Sequence, residues 1–105
     1  MGRIVSGRTP PGQGWQQYPG GGGIWMEVDT TSAGFTQPPT YVTSIGGNSE
    51  HWSTTGGSSV YPPTGTLGGD LKRGFRIFLR WAGGGPLDPQ RASNNRWHIN
   101  WIGME

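Results

Sequence analysis

The chain has 105 residues, of which 21 are glycine, 30% are hydrophobic, 13% are charged and none is cysteine. That length suits one domain, residues 1–105, rather than two, and the absence of cysteine excludes disulfide staples. A net charge of +2, from eight basic and six acidic residues, provides no broad basic field, so nucleic acid is not an expected partner.

Ile4 and Val5 form a short first apolar piece, and residues 6–23 follow as a turn-rich segment anchored by Trp15 and Tyr18. Pro10 and Pro11 cannot donate to a sheet ladder, which places them at an edge or in a loop. The glycines at 20–23 read as a flexible link, with a tightly packed turn as the alternative. Residues 23–30 are the first convincing strand, because Ile24, Met26 and Val28 alternate with Trp25, Glu27 and Asp29. Pro38 and Pro39 lead into a second strand at 40–45, where their missing N–H groups cost least. Residues 46–52 are expected to form a loop or a hairpin tip, and one or two short strands surround Gly56 and Gly57.

A long connection at 62–74 precedes the strongest strand, GFRIFLRW at 74–81. Phe75, Ile77, Leu79 and Trp81 share one face, while Arg76, Phe78 and Arg80 share the other. Asp88 followed by Pro89 is an N-cap with a first-turn proline, predicting one helical turn over 89–93. The final strand, 96–104, sets Trp97, Ile99 and Trp101 on a core face and His98, Asn100 and Ile102 opposite. The expectation is an all-β fold of about six antiparallel strands in a sandwich. Six tryptophans, three tyrosines and three phenylalanines argue for a folded chain rather than a disordered one.

A monomer of this size buries only roughly 60–70% of the surface its unfolded chain exposes. Glycine adds no side chain to that burial, so self-association is expected to supply what the core lacks. No apolar run reaches membrane-spanning length and no leader-like segment opens the sequence, so membrane insertion is not expected.

Several pieces are similar to one family. Gly14-Trp15 comes early, Phe35 precedes the proline-led PPTYVTSI, GFRIFLRW ends in tryptophan, and the chain finishes on WHINWIGME. Together they resemble the H-type lectin domain, the small β-sandwich of snail agglutinins and of the C-terminus of discoidins. The resemblance implies a six-stranded sandwich, a homotrimer, and non-catalytic binding of a glycan or cell-surface receptor at an extracellular or virion surface. Similar sandwiches at the tips of phage and viral fibres supply the alternative, a structural component of a virion, tail fibre or other extracellular assembly with no small ligand.

Trp81 ends a strand beside a Gly-rich loop; it either stacks on a sugar ring, with Arg80 beside it, or continues the buried face. Asn48, Glu50, His51 and Trp52 make a polar-aromatic tip with an acceptor, a titratable ring and a stacking platform. Its bland alternative is a loop whose Trp52 folds into the core. His98 and Asn100, with Arg76 and Arg80, are expected at a subunit interface, and a cross-strand or cross-subunit pairing of these arginines with Glu27 or Asp29 fits. Catalysis is not expected. The two histidines lie in no nucleophile constellation, the glycine runs lack a Lys-Ser ending, and nothing calls for a metal or cofactor.

Overall fold

The computed structural model describes residues 2–105. The described residues build eight strands, one short α-helix and three single 3-10 turns. In order the strands and the helix are β1 (Ile4–Arg8), β2 (Gln16–Gln17), β3 (Ile24–Asp29), β4 (Thr40–Gly46), β5 (Thr54–Thr55), β6 (Val60–Tyr61), β7 (Gly74–Trp81), α1 (Pro89–Asn94) and β8 (His98–Met104). All pairings are antiparallel. One sheet has the order β1-β8-β4; the other runs β2-β3-β7-β5, with β6 also on β7. The count exceeds the expected six because β2, β5 and β6 are two-residue strands, too short to show a period.

The alternation read in the long strands sets their buried faces. Ile24, Met26 and Val28 of β3 and Phe75, Ile77 and Leu79 of β7 share one apolar cluster with Tyr41 of β4 and Ile99 of β8. Tyr41 joins the two sheets. Its ring lies 4.6 Å from Phe75 and meets Trp101 and Phe35 edge-on at 6.2 and 6.0 Å. Its hydroxyl donates to the Leu71 carbonyl at 2.6 Å and so accepts from Thr30 Oγ1 at 2.7 Å. Desolvation raises the Tyr41 pKa above its ordinary value, against the opposing hydrogen bond from Thr30.

Trp97 is fully buried just before β8, as the alternation required, whereas Trp101 on the same face is only partly buried. The Trp101 ring lies across β1 at Gly7, where any Cβ would collide with it. Residues 47–53 take the loop form of the two expected, not a hairpin tip; they carry the chain from β4 in one sheet to β5 in the other. The glycine run is a formed turn rather than a loose link. Pro19 and Gly20 (φ +98°) occupy the middle of a type II turn closed by Gly21 N–H donating to Tyr18 O at 3.1 Å. The Gln17 amide then fastens this hairpin to two carbonyls, Gly23 and Leu87, at 2.8 and 2.9 Å.

Helix α1 forms as its sequence signature requires, with Asp88 Oδ1 accepting from Arg91 N–H at 3.1 Å and Pro89 in the first turn. It ends in a Schellman pair, Trp97 N–H to Ala92 O and Arg96 N–H to Ser93 O, with Arg96 (φ +56°) in the left-handed position that glycine usually holds.

The Glu105 carboxylate ties together the start of β1 and the segment before β4. It pairs with Arg3 at 2.6 Å and accepts from Thr36 and Gln37 backbone N–H groups at 3.0 and 3.2 Å. The Arg3 hydrogen bond, followed by those from Thr36 and Gln37, holds the Glu105 pKa below its ordinary 4.5.

Trp97→Ala is expected to cost about 3–5 kcal/mol of unfolding free energy, read from urea midpoints, and Trp101→Ala distinctly less. Equal losses would contradict the assignment of Trp97 as the buried ring. A depressed carboxylate pKa contributes stability above the unfolded value, and that stability is lost as pH falls through the folded one. Glu105→Gln is therefore expected to lower the melting temperature at neutral pH. The variant should also lose less of its melting temperature than the parent on acidification to about pH 3. Parallel melting curves across that range would show that the Glu105 linkage is absent.

Candidate functional site

The outward face of the β2-β3-β7-β5 sheet is aromatic. Register places Trp25 beside Phe78, and Arg76 between Glu27 on β3 and Tyr61 on β6. Arg76 pairs with Glu27 at 2.6 Å, hydrogen bonds Thr64, and lies 4.0 Å from the centre of the Trp25 ring. Its charge is thus neutralised by Glu27 and lies over an aromatic face, a combination that suits a guanidinium. The expected cross-strand arginine–carboxylate pairing holds for Glu27. Asp29 stands opposite Gly74 instead and caps the turn at Thr31, whose side-chain and backbone hydrogen bonds lower the Asp29 pKa.

Beside this row opens a cleft of about 720 Å³. One wall is the Tyr18–Gly23 turn, the other is the Thr55–Tyr61 segment, and Phe78 with Arg80 forms part of its floor on β7. Tyr18 and Tyr61 both meet the edge of Phe78, at 5.8 and 5.2 Å, and are 49% and 48% exposed. Each residue is therefore about half open to solvent while its ring packs against Phe78. Thr55 and Ser59 supply exposed hydroxyls. Gly56 (φ +107°) lets the second wall close onto β7, since a Cβ there would collide with the Phe78 carbonyl.

Of the residues singled out from the sequence, Arg80 lines this cleft and Trp81 does not. Trp81 points to the other face of β7. It meets Trp97 edge-on at 5.6 Å, donates to the Pro86 carbonyl at 3.0 Å, and lies under the Arg91 guanidinium. It is partly buried against the core, as the alternation of β7 indicated.

The Asn48–Trp52 tip packs against α1 rather than enclosing a cavity. Glu50 accepts from Arg91 at 3.2 Å and from Asn95 at 2.8 Å. The Asn95 bond, with the Arg91 bond and charge, lowers the Glu50 pKa. Asn48 N–H donates to Asn95 O, and the buried His51 Nδ1 has no hydrogen-bond partner among the described residues. Trp52 does not fold into the core; it is 89% exposed.

The four expected interface residues are divided between two surfaces. Arg76 and Arg80 face outward on the aromatic sheet, whereas His98 and Asn100 face outward on the β1-β8-β4 sheet. On that second face Asn100 donates to Ser44 at 3.4 Å and His98 Nδ1 contacts the Arg96 carbonyl at 3.2 Å. Beyond them, register aligns Ile4 with Met104 and Ile102 with Val42. These four apolar side chains are exposed, Ile4 at 72% and Val42 at 54%.

The sequence reading missed Tyr18 and Tyr61 as a pair. They lie far apart in the chain and meet only because β7 brings Phe78 between them. Among the described residues no helix is long and apolar enough to cross a membrane, and no group of three or more His, Cys, Asp or Glu is placed to hold a metal ion. Comparison of the chain with protein-family models, with curated proteins and with solved structures gives no match.

Proposed function

We propose that the chain is a non-catalytic glycan-binding module, with the two sheets forming a β-sandwich of the H-type lectin kind. The observation that carries this reading is the cleft beside Phe78, with its two half-exposed tyrosines and adjacent hydroxyls. A sugar ring has an apolar face that stacks on an aromatic ring, and its hydroxyls take hydrogen bonds from groups at the edge. Holding both tyrosines by edge contacts to one phenylalanine limits the ordering cost of binding. The site proposed here uses Arg80 but moves away from Trp81 and from the Asn48–Trp52 tip.

The homo-oligomer, a trimer by resemblance, would form through the outward face of the β1-β8-β4 sheet. Ile4, Val42, Ile102 and Met104 make its centre apolar, and Arg8 and His98 are its titratable groups. An apolar centre depleted of charge is what a subunit interface presents. The same face favours the second reading, a structural building block of a virion, fibre or other extracellular assembly, in which such contacts are the whole function.

A glycan-array screen of the intact protein is expected to give selective binding that Tyr61→Ala abolishes while the variant still folds, with a modestly lower melting temperature. Silence across a broad array would remove the glycan-binding reading and leave the structural one. Val42→Glu is expected to reduce the solution mass, measured by light scattering, to that of one chain; an unchanged mass would show that this face is not the interface.

A further inference from the structure

The charges around the cleft are unequal in a way that bears on what it holds. Among the described residues, Arg3, Arg76 and Arg91 are each paired with a glutamate. Arg80 has no ion-pair partner among them, is exposed, and lines the cleft. Among the described residues no aspartate or glutamate lines it. Arg80 follows Phe78 by two residues on β7, so both side chains leave the same face of the sheet, and register sets Arg80 opposite Thr55. An apolar stacking floor therefore lies next to a free guanidinium and a hydroxyl.

We propose that this cleft selects an anionic sugar, whose ring stacks on the Tyr18–Phe78–Tyr61 surface and whose carboxylate or sulfate is held by Arg80. The inference rests on the glycan-binding reading above and adds the ligand's charge to it. A guanidinium presents a planar fork of donors that matches the oxygens of a carboxylate or sulfate. Among the described residues no acid on the cleft wall competes for that fork. A neutral sugar would still stack, leaving Arg80 to water, so the discrimination comes from the added charge-assisted bonds. Arg76 cannot serve the same role while Glu27 neutralises it.

The test is calorimetric titration of the intact chain with matched probes: methyl β-glucuronide, methyl β-glucoside and the glucoside 6-sulfate, together with the corresponding galactose series. The anionic members are expected to bind about tenfold more tightly than their neutral counterparts. Arg80→Gln should close that gap while neutral-sugar binding persists, Arg80→Lys should retain part of it, and added salt should narrow it. The carboxylate and sulfate arms report which anion is preferred, and a preference for either supports the proposal. Equal affinity for neutral and anionic members, or a gap that survives Arg80→Gln, overturns it and leaves glycan binding standing. Absence of binding by every member, with a silent array, overturns both.

Discussion

Trp97 is the interaction on which the rest of the molecule depends. Its ring is fully buried, and its polar atoms reach several segments that otherwise share no element. The indole N–H donates to Ser49 O at 2.8 Å and fixes the crossing from β4 to β5. Its carbonyl accepts from the Trp15 indole at 3.0 Å and from Gly12 N–H at 2.8 Å, docking the segment between β1 and β2. Its own N–H closes the end of α1 on Ala92. A chain with one glycine in every five residues has few side chains with which to build a core. Large rings that also satisfy buried carbonyls meet that shortage, because each fills volume and pays for a polar group that burial would otherwise leave unpaired.

The long strands were legible because their period reflects a physical division between core and solvent. Ile24, Met26 and Val28, then Phe75, Ile77 and Leu79, point inward as their alternation requires. The helix was legible from Asp88 and Pro89, whose capping chemistry is local. What escaped was non-local or too short. Two-residue strands carry no period, and the crossing at 47–53 depends on which sheet receives β5. Arg76 and Arg80 alternate identically, yet register puts Glu27 opposite the first and Thr55 opposite the second. Their roles therefore diverge for a reason that strand pairing alone reveals. The Pro19-Gly20 turn signal was present in the sequence, but the adjoining glycines masked it.

The two outward faces divide the surface by chemistry. One carries aromatic rings, hydroxyls and a free guanidinium; the other carries aliphatic side chains with few charges. Because the faces belong to different sheets, association through the aliphatic one would leave each cleft accessible. Several clefts on one assembly would then act together, and weak single-site binding would be amplified by effective concentration. The exposed Trp52 stands apart from both, on a tip that Glu50, Arg91 and Asn95 hold against α1.

The position of β8 governs how the molecule is reached from the unfolded chain. It is the middle strand of its sheet, pairing β1 from Ile4↔Met104 onward on one side and β4 from Thr40↔Met104 on the other. Neither β1 nor β4 has its ladder partner until β8 arrives, and the β1 pairing must close a loop nearly as long as the chain. Such closure is entropically costly before any contact rewards it, so folding should be slow relative to helical proteins of equal size. During that interval the backbone groups that β1 and β4 later present to β8 are unsatisfied. The arrival of β8 satisfies one edge of each strand at once, while the outer edges of β1 and β4 stay unpaired as the two margins of the finished sheet.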